Sequence, residues 1–559
     1  MSRFSAVRES AAASLGLTLV TAAVFHQQVA DFYAVPDRGD PLFSMWRMAW
    51  VRHQIVTDPR HLFDANIFYP LTGTLTYSDS MILPALVSAP LAWIGVHPVV
   101  AYNIALLGAF VLSGLSAYWL TRDLGAGRLA AWITAVAFTI APFRMNHFSH
   151  LELQMTMWMP VVLLATARVL TDGSRGYAVL LTLSLAAQWY SSMYYGLFLT
   201  MYSAVFGAVF ALASKIPARR CASALAAMCV ALILVSPLIY TYRQTTSARG
   251  VRSPEVVTAF SAVPADYLRP GTGNPVFRSF LPRFVHAERA LFPGLATVLL
   301  AIVGAWPPLT ASRVPFIAAG LLAFDGSLGL HGVVYPFLYR WFPAFQSVRV
   351  PARFAVLVVL TLAVLAGVGA ARLLSRTSIP WKRTAAGACL TFALVLDGWP
   401  RYDRLPMWQS PPSIYATLPS TGAVLFEFPV HSPADRFAEN LPYMYFSMWH
   451  WTPMVNGYSG FIPASYEALL ANTATFPEDG ALDYLARIGV THIGLHCRLW
   501  EIEVCASTME RLDSNRRLRM LARATWYGAP ATLYGLSRGE PGSGIRDPDP
   551  AARNPIVTK

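Results

Sequence analysis

The sequence predicts a polytopic α-helical membrane protein with interfacial helices in its first external loop and a small C-terminal α/β domain. Three observations predict it. Apolar residues make up 55% of the chain, and the mean hydropathy is +0.44. Runs of about 18 to 22 apolar residues recur, the length a helix needs to cross roughly 30 Å of hydrocarbon. Only 13% of residues are charged, against about 25% in a soluble domain. The Lys and Arg residues gather in short turns between apolar runs, as cytoplasmic loops do. The net charge of +13 is therefore a property of those turns and does not point to nucleic acid.

Arg3 and Arg8 precede a first span at about 10–30, which places the N-terminus in the cytoplasm. No cleavage site stands before Asp31, so this segment reads as a span and not as a signal peptide. The loop 31–80 is then external. Residues 81–96 are short and carry Pro84 and Pro90, which favours a helix lying at the interface. Further spans are expected at about 99–121, 129–143, 153–170, 176–193, 195–213, 222–241, 290–307, 311–330, 351–371 and 384–400. With eleven spans, the basic turns at Arg122 and Arg128, Arg168 and Arg175, Lys215 to Arg220, Arg313, and RLLSRTSIPWKR share one side. The loops 31–80, 143–152, 242–289 and 331–350 share the other, with the tail. Residues 1–400 thus form a transmembrane domain.

Composition changes near residue 401. GAVLFEFPV, THIGLHC and ATLYGL read as strands and ALDYLARIGV as a helix, so 401–537 is expected to be an external α/β domain. Residues 538–559 lack apolar periodicity and read as a disordered tail. Cys221, Cys229 and Cys389 fall in spans as small packing residues. Cys497 and Cys505 lie on the oxidising side, where they are either bonded or free.

The chemistry is expected in the loops. The loop 31–80 holds Asp31, Asp37, Asp40, Asp58, Asp64 and Asp79 with Arg38, Arg47, Arg52, His53 and Arg60. Gly39 and Pro41 place Asp40 at the start of a helix whose Leu42, Phe43, Met45, Trp46, Met48 and Trp50 form an apolar face suited to lipid headgroups. Asp40 there is either reactive or a helix cap. His147, His150 and Glu152 in NHFSHLE form either a weak divalent-metal set or a polar interfacial patch. Arg349 and Arg353 in SVRVPARF either face a cavity and bind phosphate or snorkel to headgroups. In the loop 242–289, Arg243, Arg249, Arg252, Glu255, Asp266, Arg269, Arg278, Arg283, His286, Glu288 and Arg289 mix both signs. Glu288 and Arg289 stand out beside the next apolar run. The tail stretch YMYFSMWHWTPMVNGYSGF carries Tyr443, His450, Asn456 and Tyr458, a set suited to a sugar ring or to docking on the membrane surface. No GxSxG, P-loop, HExxH or CxxC framework is present.

The order of first span, acidic external loop, proline-bearing interfacial helix, Arg-terminated second span and polar second loop resembles the membrane glycosyltransferases of the C fold (GT-C). Protein O-mannosyltransferases, lipid A aminoarabinose transferases and oligosaccharyltransferase catalytic subunits belong to it. GDPLFSMWRMAW, HLFDANIFYP, ERALFPG, SVRVPARF and VNGYSGF more closely resemble a large group of bacterial membrane proteins assigned to that superfamily. The resemblance implies an essential acidic residue in the first loop, which falls on Asp40; Pro41 stands where the usual second acid would, so Asp40 acts either alone or with Asp37 or Asp79. It maps the second-loop acid to Glu152, beside His147 and His150, and leaves a divalent metal possible.

The expectation is a transferase of the bacterial inner membrane. It would move a hexosyl or pentosyl group from a polyprenyl-phosphate carrier in the bilayer to an envelope glycan, lipid or protein on the periplasmic face. Asp40 would handle the acceptor, Arg349 and Arg353 the lipid phosphate, and the tail would close the acceptor side. The rivals are a transporter or flippase of a lipid-linked precursor, and a non-catalytic scaffold with a glycan-binding tail. Transporters show repeats and broken helices at mid-membrane; here no repeat is visible and ionisable residues gather at one face.

Overall fold

The computed structural model describes residues 3–537 apart from 272, 278, 280–286, 377, 434 and 435. The expected disordered tail 538–559 lies outside the described residues, as do Arg278, Arg283 and His286. The chain divides into two compact units. The first comprises residues 1–65, 72–409 and 459–461; the second comprises 66–71, 410–458 and everything from 462 onward.

The first unit begins with α1 (Arg3–Val24), followed by the loop helices α2 (Asp40–Thr57) and α3 (Ile82–Trp93). Then come α4 (Pro98–Asp123), α5 (Arg128–Thr139), α6 (Trp158–Asp172), α7 (Arg175–Ser191), α8 (Met193–Ala213) and α9 (Ala218–Arg249). The last are α10 (Leu295–Ala305), α11 (Val314–Ser327), α12 (Ala355–Leu374) and α13 (Pro380–Gly398). Prolines at the first turns of α2, α4 and α13 set φ for helix entry where the N–H has no partner to lose. Gly173, at φ +66°, closes α6 in the left-handed conformation.

All eleven expected spans coincide with helices. Among the described residues, seven stretches are long and apolar enough to cross a membrane: Ser5–Val24, Pro98–Asp123, Arg128–Asn146, Leu151–Asp172, Met193–Ala213, Ala218–Ser247 and Pro351–Leu374. The remaining four differ from expectation. Helices α7, α10 and α11 have only 17, 11 and 14 residues, and α13 opens on Lys382 and Arg383.

Helix α2 also departs from expectation. Residues Pro41 to Val51 are all buried, so its apolar face is covered by protein and does not lie among headgroups. Helices α3 and α4 and the turn Leu151–Gln154 cover it. The exposed apolar side chains in this region belong to α3, at Leu86, Val87 and Trp93.

Helix α12 is as enclosed as the Arg128–Asn146 span, and α10 lies against it backbone to backbone. A Cβ on Gly304 would sit 1.9 Å from the Leu365 carbonyl oxygen, and one on Gly369 2.0 Å from that of Leu300. Without a hydrophobic drive between helices in lipid, such small-residue contacts supply the packing.

Arg144 repairs the break after α5. The helix ends at Thr139, and the chain re-enters a short turn at Pro142–Asn146. The Arg144 guanidinium is 1% exposed and has no carboxylate partner among the described residues. It donates to the Phe138 and Thr139 carbonyls at 3.1 and 3.3 Å and to Gln154 Oε1 at 3.2 Å. It lies 4.6 Å from the Phe110 ring centroid. It thus takes up carbonyls that the end of a helix leaves free and ties α5 to the turn that starts the next span.

The second unit holds a four-stranded sheet of β1 (Leu425–Phe428), β2 (His492–His496), β3 (Leu518–Trp526) and β4 (Ala529–Leu536), in the order β1-β2-β4-β3. Only β1 and β2 are parallel. The sequence segments read as strands and as a helix fall on β1, β2, β4 and the helix Asp479–Arg487. Strand β3 and the helix Ile502–Asp513 were not anticipated; β3 carries Arg519 and Arg523 and exposes one face. Cys497 and Cys505 are bonded to each other. Residues 66–71 join this unit through Phe68 N–H to Asn456 O, Tyr69 N–H to Met454 O and Met454 N–H to Asn66 O, all at 3.0 Å.

The Arg144 arrangement predicts that Arg144→Met lowers the apparent unfolding temperature in detergent by several degrees. Orphaned buried carbonyls cost about 1–3 kcal/mol each. An unchanged midpoint in a monodispersity-versus-temperature assay would contradict that role.

Candidate active site

Asp40 is the first residue of α2, with Gly39 in the capping position. Its carboxylate turns to His150, Oδ2 to Nε2 at 3.0 Å. The pair is not sealed: the Asp40 side chain keeps 28% of its exposure and His150 23%. Burial pushes the Asp40 carboxyl up, but the facing His150, with Arg47 and Arg353 beyond it, outweighs burial and leaves the carboxyl below its usual value. Burial pulls His150 down, and Asp40 and Glu152 more than reverse this, raising it to about 9. Near neutral pH the two form a carboxylate–imidazolium pair. His150 Nδ1 has no hydrogen-bond partner among the described residues.

Asp37 lies beside this pair, and its Oδ1 accepts the Gly39 N–H at 2.8 Å. Burial and then the Asp40 charge raise its carboxyl, against the Gly39 N–H, Ser149 and His150. The turn that presents His150 is held by Tyr102, whose hydroxyl donates to Ser149 O at 2.7 Å.

Behind Asp40, α2 sends Arg47 inward with no exposed surface. Its Nη2 donates to Glu152 Oε2 at 3.0 Å and to Ser44 Oγ at 3.2 Å, and its Nη1 to Asp79 O at 3.0 Å. Its guanidinium also covers the Phe43 ring at 4.1 Å. Asp79 accepts the Ser192 hydroxyl at 3.0 Å and the Met193 N–H at 2.8 Å. Burial, then Glu152, raise Asp79 to about 6 despite those bonds.

A second ion pair stands on the other side. Arg353 grips Glu288 with two nitrogens, Nε to Oε2 at 3.0 Å and Nη2 to Oε1. His147 Nε2 lies 3.3 Å from the same carboxylate. Arg289 does not join them: it donates to Asp266 at 2.8 Å, as Arg269 does, and Asp266 is wholly buried. That cluster fixes the loop.

The expected trio His147, His150 and Glu152 is therefore divided among three partners, Glu288, Asp40 and Arg47. Among the described residues no three His, Cys, Asp or Glu side chains converge to hold a metal ion. The trio as expected from sequence does not form a donor set.

Arg353, expected at a phosphate, is engaged by Glu288, whereas Arg349 has no carboxylate partner among the described residues. Its guanidinium lies 5.1 Å from the Phe260 ring, and its backbone N–H donates to the Tyr194 hydroxyl at 3.1 Å. Arg249 and Arg252 are its neighbours in charge, likewise without a carboxylate among the described residues. Both lie over Phe461, at 5.1 and 5.7 Å. Burial draws the Arg252 guanidinium below its usual value; Tyr194 opposes that, while Arg349 and Arg249 add to it. Three guanidiniums at one place with no acid among the described residues form a seat for an anion. Arg249 and Arg252 were visible in the sequence but nothing separated them from other loop arginines. Tyr194 carried no signal of its own in the sequence.

The tail residues expected to meet an acceptor are otherwise employed. Tyr443 and Asn456 are fully buried. Tyr443 donates to Pro429 O at 2.7 Å, and Asn456 clasps the Glu427 backbone at 2.7 and 2.8 Å. His450 stacks on Tyr415 with centroids 4.6 Å apart, and Tyr458 meets Phe437 at a tilt with centroids 5.0 Å apart. The aromatic run folds inward because it supplies the core of a domain with only four strands.

No protein-family model matches the chain, and no curated protein sequence matches it. Solved structures do. The arabinofuranosyltransferase AftD from Mycobacteria superposes with a TM-score of 0.63 at 14% identity, over 95% of this chain and 40% of that one. The chain thus spans about 40% of the length of that structure. ArnT from Cupriavidus metallidurans bound to undecaprenyl phosphate gives a TM-score of 0.47 at 14% identity, over 96% of this chain and 100% of that one.

The Asp40–His150 pair carries a pH signature. The folded His150 holds its proton to about pH 9 against a usual 6.5. The stability it contributes is complete below pH 6.5 and is lost as pH rises through 9. Asp40, shifted down, contributes above its usual value and loses that as pH falls through its folded value. Wild type is expected to lose about 2 kcal/mol between about pH 6.5 and 10 that His150→Gln does not lose. Parallel pH profiles of unfolding for the two proteins would refute the pairing.

Proposed function

From the premise that this chain is a multi-pass membrane protein with the GT-C fold, we propose that it is a membrane glycosyltransferase. It takes a sugar from a polyprenyl-phosphate donor and passes it to an envelope acceptor on the external face of the bacterial inner membrane. The observation that carries this reading is a partly open carboxylate, Asp40, held by His150 in the same unit as three guanidiniums lacking an acid among the described residues.

Asp40 orients the acceptor hydroxyl. As the acceptor oxygen bonds to the sugar's anomeric carbon its proton becomes acidic and passes to Asp40. A base must come within about 3 Å of that proton, and the His150 pairing sets the carboxylate's direction. The bond from the anomeric carbon to the phosphate oxygen breaks, and its electron pair goes to the lipid phosphate. Arg349, with Arg249 and Arg252, offsets that charge as it develops. In this reading Arg353, paired with Glu288, frames the site and does not carry the phosphate. Glu152 and Asp79 act through Arg47 to hold α2.

The test is transfer of label from a panel of radiolabelled polyprenyl-phosphate sugars to envelope material by protein in liposomes. Asp40→Asn is expected to lower kcat at least about 100-fold with donor binding retained. Arg349→Ala is expected to weaken donor use by about 10-fold or more. Equal transfer by wild type and Asp40→Asn would move the chemistry to another carboxylate. Vectorial movement of the lipid without transfer would favour a flippase.

A further inference from the structure

Helix α4 starts near the candidate site and runs to Asp123, and α5 starts at Arg128 and returns. The turn between them therefore lies at the far end of the spans. A groove of about 790 Å³ opens there between α1, α4, α5 and α13. Its walls are apolar, with Ala12 and Ala13 from α1 and Leu129 and Trp132 from α5. The edge of the Trp132 ring abuts α1, so that a Cβ on Gly16 would come within 2.7 Å of it. Its indole donates to Thr391 of α13 at 3.0 Å. These contacts fix the back wall.

The mouth is basic. Arg8 lines it, is exposed, and has no carboxylate partner among the described residues. Lys382 and Arg383 stand in the first turn of α13, directly before the lining residue Thr384. The acid in the lining is Glu9, and it is spent: its side chain is 3% exposed and accepts from Tyr118 at 2.8 Å, Arg122 at 2.6 Å and Arg128 at 2.8 Å. Two arginines on one carboxylate leave excess positive charge even before Arg8 is counted.

We propose that this groove binds one anionic phospholipid of the leaflet opposite the candidate site. An acyl chain lies against Ala12, Leu129 and Trp132, and the headgroup phosphate meets Arg8. The occupant follows from where the groove opens. Three of its four sides, α1, α4 and α5, are long and apolar enough to cross a membrane, so the molecules available to it are lipids, and its polar end is cationic, which selects a negative headgroup. Guanidinium matches phosphate in two-pronged geometry.

The test uses the full chain, delipidated in a neutral detergent, with phosphatidylglycerol, phosphatidylcholine or inorganic phosphate added. Lipid retained per protein is read by native mass spectrometry, and the apparent unfolding temperature is read in parallel. One retained phosphatidylglycerol and a rise in midpoint are expected, with neither phosphatidylcholine nor inorganic phosphate reproducing them. Arg8→Gln, a surface change, is expected to weaken retention about five- to tenfold. Ala12→Trp, which fills the groove, should abolish retention while the protein stays monodisperse. Equal retention of phosphatidylcholine, or undiminished phosphatidylglycerol retention by Arg8→Gln, would overturn the proposal. Stabilisation by inorganic phosphate alone would overturn it too.

Discussion

The buried Arg47 guanidinium is the interaction on which the active-site half of this protein depends. A charge with no exposed surface is costly unless its donors are met. Here Nη1 and Nη2 are met by Ser44 of the same helix and by Glu152 and the Asp79 carbonyl from two other stretches of chain, while Nε has no hydrogen-bond partner among the described residues. Helix α2 therefore cannot slide or rotate without stranding a charge in a low-dielectric interior. That is what turns an acidic loop into a fixed support for Asp40. An apolar helix resting on lipid would give no such register, because any rotation that kept its apolar side down would serve.

The same logic runs through the unit. Glu152 is matched by Arg47, Glu288 by Arg353, Asp266 by Arg269 and Arg289, and Asp40 by His150. Once buried acids are assigned to their cations, the charges left over become informative. Arg249, Arg252 and Arg349 are such a remainder. They come from the end of α9 and from two loops, held beside Tyr194 and Phe461, and each lowers the cost of an anion for the others.

Much of the fold was legible in the sequence because span length and loop charge are local properties. The helices fell where apolar runs stood, and the α/β character of the tail followed from alternation in GAVLFEFPV and ATLYGL. Span sufficiency was less legible, since α10 and α11 are shortened by loops whose boundaries no periodicity marks. Within the site, Asp40 and His150 were both singled out, but not their pairing, which joins positions far apart in the chain. The tail aromatics misled for a different reason. A dense run of Tyr, Trp and His reads as a surface for sugar, yet a small domain needs large side chains inside, and burial is not encoded in composition. Arg144 drew no notice, because a lone arginine at a span end usually faces water.

Residues 66–71 lie within the first loop in sequence but pair with Met454 and Asn456 in space. The ribosome makes the two partners far apart in time, on the order of tens of seconds at ordinary elongation rates. The first loop thus waits with three backbone hydrogen bonds unmade until residues 454–456 have been made. Completion of the N-terminal loop is in this way a report that the segment around residues 454–456 has been made. A prematurely terminated chain is left with an open strand-like segment, the kind of exposed backbone that envelope proteases recognise.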